Sequence, residues 1–261
     1  MSILYQPKRS FLHGCIVGFS AQMAKPSINT SEQVSQGATQ LVIGDDPFAQ
    51  FVAEVLSQLA KWQRTSFCKI PTSINIPWNK LEDCSFLPMV CTLCDELSLP
   101  RSLVEFSISS NPHSGKHFEA ISECLKMLDL GYRVATDHYS LDSMSPSFAQ
   151  HSFSSIEIKN SLTNNLETLQ SAKDNVVGII ARCNELNFPV TVEGVDTPQQ
   201  YFWLANAGCS VGQGSYFGSP QEAGALLRME LWFWQNGTNS WKVHKGRFIP
   251  TNPRYFRPRF S

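Results

Sequence analysis

Apolar positions along this chain change period several times. Phe48, Phe51, Val52, Val55, Leu56 and Leu59 recur every three or four residues. Asp45 or Asp46 stands before them as a cap and Pro47 takes the first helical position, so the stretch predicts an amphipathic helix. Short runs rich in β-branched residues at Ser73–Ile76, Leu103–Ile108, Arg133–Thr136, Ser155–Ile158 and Pro189–Val192 predict strands, and Val211 lies in one more. Helical patterns fill 79–98, 117–130 (ended by Gly131), 163–186, 197–207 and 220–235. At the front, Ile3–Tyr5 and Cys15–Phe19 flank a turn through 9–14 and predict a hairpin. Strands alternating with helices predict an α/β fold with a parallel sheet, and this many units suits a closed barrel of the TIM (β/α)8 type. The polar segment 26–40, rich in Ser, Thr and Gln, predicts an exposed loop.

Composition narrows the picture. The chain has 261 residues and 42% hydrophobic content, enough for one large domain with its own core. Its net charge of -1 excludes a polyelectrolyte that seeks nucleic acid over its whole surface. No apolar run reaches the ~20 residues that cross a bilayer. Met1–Lys8 lacks a basic start followed by an apolar stretch, so no signal peptide is expected and the location is read as cytoplasmic. Met1 followed almost at once by the first strand favours a stand-alone product. Eight cysteines are scattered along the chain. Cys91 and Cys94 form a C-x-x-C, but no second pair follows at zinc-finger spacing, so two small buried residues one helical turn apart are favoured over a metal or redox site.

The end of the chain differs in kind. Lys242, Lys245, Arg247, Arg254, Arg257 and Arg259 meet no Asp or Glu after position 235, and removing those six charges from the total of -1 leaves the first 235 residues at -7. Trp241, Phe248, Tyr255, Phe256 and Phe260 interleave with them. The division is therefore a domain over 1–235 and a basic, aromatic tail over 236–261. The tail reads as packing back on the acidic domain or lying free, with a strap for nucleic acid or a membrane surface through 242–259 as the alternative.

The chemistry lies where motifs meet the strand ends. Val192-Glu193-Gly194-Val195-Asp196-Thr197 is followed by Gly208-Cys209-Ser210-Val211-Gly212-Gln213-Gly214, with Phe217 and Pro220 beyond. This resembles the E-G-V-E-T and G-C-D-x-x-Q-G segments of bacterial EAL domains, the phosphodiesterases of cyclic di-GMP. The resemblance spans about 2–235. It implies an EAL-type barrel with an irregular first strand, and a site where a pair of metal ions and a fixed cation activate water against a phosphodiester.

Carried over position by position, the resemblance finds losses. Val17-Gly18-Phe19 is followed by Ser20 where the family has a metal-binding Glu, and by Ala24 where it has a phosphate-binding Arg. Asn75, in Ile74-Asn75-Ile76-Pro77, keeps the amide ligand. In Val104–Asn111, Ser107 and Ser110 replace Glu; sliding the segment by two to use Glu105 would break its ungapped spacing to Asn75 and Asp137. Asp137 is kept and His138 replaces its neighbouring Asp. Leu141–His151 lacks the family's loop signature. The K-I-D motif becomes Glu157-Ile158-Lys159, which sets a negative charge where a Lys should steady the phosphate. Glu193 and Gln213 are kept, Asp196 replaces Glu, and Gln6-Pro7 matches the family's Q-P near the guanine site.

On that count the chain is expected not to be an enzyme, to use no cofactor and to hold no metal, with Asn75, Asp137, Glu193 and Gln213 as remnants. The resemblance then implies a regulatory protein that binds another protein, in motility or transcription control. The alternative is a cyclic di-GMP receptor using Gln6, Asn75, Asp137, Glu193 and Gln213, and behind it a weak phosphodiesterase with Mg2+.

Overall fold

The computed structural model describes residues 2–24, 46–65, 67, 69–108, 117–137, 153–164, 166–228, 241–244 and 247–250. The expected loop at 26–40, His138, Ser110, the loop 141–151 and most of the tail lie outside these residues.

Eight strands close into one barrel in the order of the sequence: β1 (Ile3–Ser10), β2 (Ile16–Met23), β3 (Thr72–Ile76), β4 (Val104–Ile108), β5 (Arg133–Asp137), β6 (Ser155–Ile158), β7 (Val190–Val192) and β8 (Val211–Gln213). From β2 to β8 every neighbouring pair is parallel. β1 runs against both β2 and β8, with a register shift at Lys8/Arg9, so the expected irregular first strand is the reversed one. Parallel strands need long crossovers, which the helices supply. Every residue of β4, β6 and β7 is buried, as expected of strands covered on both faces.

The helix Pro47–Trp62 forms as its pattern predicts. Asp46 is the cap and its carboxylate accepts from the Phe48 amide. Trp62 from its last turn joins Tyr5, Phe19 and Phe67 in an aromatic cluster with ring centroids 4.9–5.3 Å apart.

Two expected helices are each divided. The stretch 79–98 is Trp78–Leu81 and Phe86–Glu96, because the Asp83 carboxylate takes the Ser85 amide and hydroxyl and turns the chain between them. The stretch 163–186 becomes Asn160–Thr163 and Gln170–Glu185. The expected helix 220–235 runs beyond the described residues.

By contacts the chain divides into two units, Met1–Pro220 and Gln221–Ser261. Within the second, Trp241–His244 and Arg247–Pro250 pair as an antiparallel hairpin. No helix among the described residues is long and apolar enough to cross a membrane.

Candidate functional site

The lumen of the barrel carries charge. Lys8 on β1 reaches across to two strands it does not neighbour: its Nζ donates to Glu105 Oε1 on β4 at 3.0 Å and to Glu157 Oε1 on β6 at 3.2 Å. Side chains from strands that far apart in a closed ring meet only through its interior. All three are buried. Arg133 Nε holds the other Glu105 oxygen at 3.3 Å.

Burial alone would discharge Lys8, but Glu105 and Glu157 outweigh it and hold its ammonium well above the ordinary range. Burial likewise opposes ionisation of Glu157, and Lys8 and Lys159 reverse that, bringing its carboxyl down to about 2. Glu105 is also pushed down, with burial opposed chiefly by Lys8.

One layer further along the strands the network opens at the C-terminal mouth. Lys159 follows the last residue of β6 and Glu193 follows the last residue of β7, and Ile158 and Val192 are register partners. Lys159 Nζ donates to Glu157 Oε2 at 2.5 Å, to Glu193 Oε1 at 3.1 Å and to Ser107 Oγ at 3.4 Å. Ser107 donates to Glu157 Oε2 at 2.5 Å. Glu157 and Glu193 together hold the Lys159 ammonium above its usual range against the opposing effect of burial.

The sequence reading placed Glu157 beside the phosphate. Its side chain is instead 2% exposed, beneath Lys159 at 20%. Strand alternation explains this: 157 and 159 point the same way, so E-I-K in place of K-I-D keeps one cation and one anion in the lumen with their depths exchanged.

The other side of the mouth follows the expected set more closely. Gln213 on β8 donates from Nε2 to Gln6 Oε1 on β1 at 2.9 Å, and Gln6 Nε2 donates to the Gly218 carbonyl at 3.1 Å. Backbone packing fixes these positions. Val195 N donates to the Gln213 carbonyl, and Tyr216 N to the Val195 carbonyl. A Cβ on Gly214 would lie 2.2 Å from Val195 O, and one on Gly194, at φ +73°, would lie 2.0 Å from Asn160 Oδ1. Asp196, in place of the family's Glu, accepts from the Ser215 amide and hydroxyl at 2.8 and 2.7 Å and pins the loop. Thr197 and Gln200 form a capping box at the start of helix Pro198–Asn206.

Other expected positions fall around this mouth. Asn75 is exposed near the end of β3 and stands in register with Ser107, so the ungapped reading of β4 holds. Asp137 ends β5, buried, in register with Glu157. Ser20 lies on β2 opposite Gln6, and Ala24 lies just past the end of β2.

Known proteins match this chain in sequence and fold. The EAL domain family model covers residues 1–220. The chain belongs to the EAL-domain family. It is 23% identical over 166 residues to the cyclic di-GMP phosphodiesterase PA2567 of Pseudomonas aeruginosa, covering 63% of this chain and 28% of that protein. It is 23% identical to the cyclic di-GMP phosphodiesterase RocR of the same organism, over 60% of this chain and 41% of RocR. The match thus spans well under half the length of either relative. The EAL fold also superposes on the PaMucR phosphodiesterase solved as a c-di-GMP complex, with TM-score 0.72 and 19% identity over 86% of this chain and 93% of that one.

These findings correct two expectations. Membership of this family, with phosphodiesterases as relatives, overturns the reading of the EAL domain as not an enzyme. The expectation of no cofactor falls with it, since metal-assisted hydrolysis of cyclic di-GMP is what the family resemblance implies and PaMucR was solved with the dinucleotide.

The residues present fit a family-type metal pair poorly. Glu193 is bonded to Lys159, Ser107 stands where a carboxylate is expected, and no group of three or more His, Cys, Asp or Glu among the described residues is arranged to hold a metal ion.

Sequence reasoning missed Lys8 and Lys159. Lys159 stood inside the quoted motif, and the signal was the exchange of charges two residues apart. Cys91 accepts from the Tyr132 hydroxyl at 3.5 Å on helix Phe86–Glu96, with Cys94 buried one turn away.

Proposed function

We propose that this EAL domain binds cyclic di-GMP at the C-terminal mouth of its barrel and acts on the dinucleotide's phosphodiester bond. The observation that carries this reading is the pairing of the Gln6–Gln213 ledge with a cation held beside Glu193. Cyclic di-GMP offers two phosphates and two guanine edges. The ledge supplies amide donors and acceptors for a base edge. Lys159 supplies positive charge at the mouth, where Ala24 and Glu157 supply none; a charge-assisted bond to phosphate is worth about 1.5–3 kcal/mol. Glu157 and Ser107 keep the ammonium in place, so less side-chain entropy is lost on binding. Phosphodiesterase relatives support the choice of substrate.

The test is calorimetric titration with cyclic di-GMP in Ca2+, followed by chromatography of the dinucleotide after incubation with Mg2+ or Mn2+. Saturable binding is expected, weakened roughly threefold to tenfold in Gln213→Ala. Absence of heat at high ligand would end the reading.

A second reading adds a protein partner, with the domain as a regulatory surface in motility or transcription control. It draws on two exposed apolar side chains, Leu12 in the turn between β1 and β2 (61% exposed) and Met23 at the far end of β2 (48% exposed). Cross-linked capture that is lost in a Leu12→Asp, Met23→Asp double variant supports it, and capture unchanged in that variant refutes it.

A further inference from the structure

Cys91 and Cys94 take no part in the dinucleotide reading, and the fold gives them a setting of their own. Both are free thiols on helix Phe86–Glu96, one turn apart. The sequence favoured two buried residues; Cys94 is buried, but Cys91 is partly exposed. Tyr132, buried just before β5, donates its hydroxyl to Cys91 Sγ at 3.5 Å, and the same hydroxyl hydrogen-bonds Cys94. One oxygen within reach of both sulfurs puts them on the same side of the helix. The Arg101 guanidinium lies 5.7 Å from the centre of the Tyr132 ring, held by Asp95 at 3.0 and 3.2 Å.

Burial keeps the Tyr132 hydroxyl protonated, so it serves as a donor. Burial also pushes the Cys94 thiol up, while Tyr132 and Arg101 draw it back. A hydroxyl donor and a nearby cation are what favours a thiolate over a thiol. Cys183 and Cys209 also influence one another, but both are buried and out of a reagent's reach. Residues three apart on a helix have Cα atoms about 5 Å apart, inside the range of about 4.4–6.8 Å that a disulfide spans. Cys94 sits in the last turn, where the Leu97 amide closes on the Leu93 carbonyl and the Leu99 amide on that of Cys94. A last turn tightens readily to the 3-10 form, which eclipses positions three apart and brings their Cβ atoms together.

We propose that Cys91 and Cys94 form a thiol modification site that reacts with hydroperoxides and closes to a disulfide. The Cys91 thiolate attacks one peroxide oxygen and the O–O bond breaks, giving a Cys91 sulfenic acid and water. Cys94 sulfur then attacks Cys91 sulfur; the S–S bond forms, the S–O bond breaks, and the departing hydroxide takes the Cys94 proton to leave as water. Two electrons pass from the two sulfurs to the peroxide. Cys91 reacts first because it is the partly exposed one, and Cys94 is the resolving thiol. The inference goes beyond the dinucleotide reading and its test omits the dinucleotide, so either can fail alone.

The experiment treats the reduced, folded full chain with hydrogen peroxide, blocks the remaining thiols and maps tryptic fragments by mass. The fragment Leu81–Arg101 holds Cys84, Cys91 and Cys94, so Cys84→Ser is run beside the wild type. Both are expected to lose two hydrogen atoms from that fragment through a Cys91–Cys94 bridge that dithiothreitol reopens. Cys94→Ser is expected to stop at a Cys91 sulfenic acid that dimedone traps; if it does not fold, Cys94→Ala serves instead. Tyr132→Phe keeps the ring and loses the donor, and is expected to slow oxidation of Cys91 by about threefold to tenfold. A bridge that forms only in urea overturns the proposal. So does oxidation of the exposed Cys84 ahead of Cys91, or a Tyr132→Phe rate equal to that of the wild type.

Discussion

The two sides of the barrel mouth are held by different physics. The arc through β7, β8 and β1 is held by shape: Gly214 lets its backbone lie against Val195, Gly194 takes a left-handed turn beside Asn160, and Gln6 and Gln213 meet as neutral amides. The arc through β4 and β6 is held by charge: Lys8, reaching across from β1, and Lys159 alternate with Glu105, Glu157 and Glu193, the last standing just past β7. The first arc keeps the family's motif almost residue for residue. The second departs from the motif and is organised around two lysines. Motif spacing survives where backbones touch, since a wrong residue there has nowhere to go. Where side chains meet across a lumen, charges can trade places as long as the sum stays balanced.

The comparison breaks most readily at Lys8. Removing it leaves Glu105 and Glu157 buried without their shared cation, so Lys8→Met is expected to lose about 3–5 kcal/mol in urea unfolding at neutral pH. A loss below about 1 kcal/mol would mean that the charged arc is not held as described. Acid attacks the same arc in the wild type. The folded carboxyl of Glu157 is depressed to about 2 from an ordinary 4.5. A depressed acid contributes stability that is present above its unfolded value and is lost as pH falls through the folded one. Unfolding free energy should therefore drop between about pH 4.5 and pH 2, and this slope should shrink in Glu157→Gln.

The shape-held arc predicts the contrary response. Gly214→Ala forces a methyl against Val195 backbone atoms that cannot rotate away, for a cost of about 1–3 kcal/mol. That cost should be the same at pH 7 and pH 4; a cost that changes with pH would blur the distinction between the arcs. The smallest effect is at the cap of helix Pro198–Asn206. Thr197→Ala removes the acceptor for the Gln200 amide and should lose about 0.5–2 kcal/mol, read as a shift in the melting midpoint.

Legibility in the sequence follows the same line. The alternation of β and α segments, the reversed first strand and the cap at Asp46 were readable, because local pattern decides them. The divided helices were not, since apolar periodicity runs on through 82–85 while the Asp83 side chain turns the backbone. Glu193, Gln213, Gln6, Asn75 and Asp137 were singled out through the resemblance to the family's motifs, and the fold places them at or near one end of the barrel. Lys8 lay outside every motif: its partners are 97 and 149 residues away and become neighbours only when the ring closes. Reading Glu157 by itself gave a hostile charge; reading it with Lys159 on the same face of β6 gives a balanced pair.

The central claim is that the rebuilt arc still presents a cation for a phosphodiester beside the retained ledge. The most direct measurement is titration of the purified chain with cyclic di-GMP in Ca2+, at two salt concentrations. The account predicts saturable binding that weakens as salt rises, since Lys159 meets phosphate. Absence of binding at high ligand, or binding indifferent to salt and to Gln213→Ala, would contradict it.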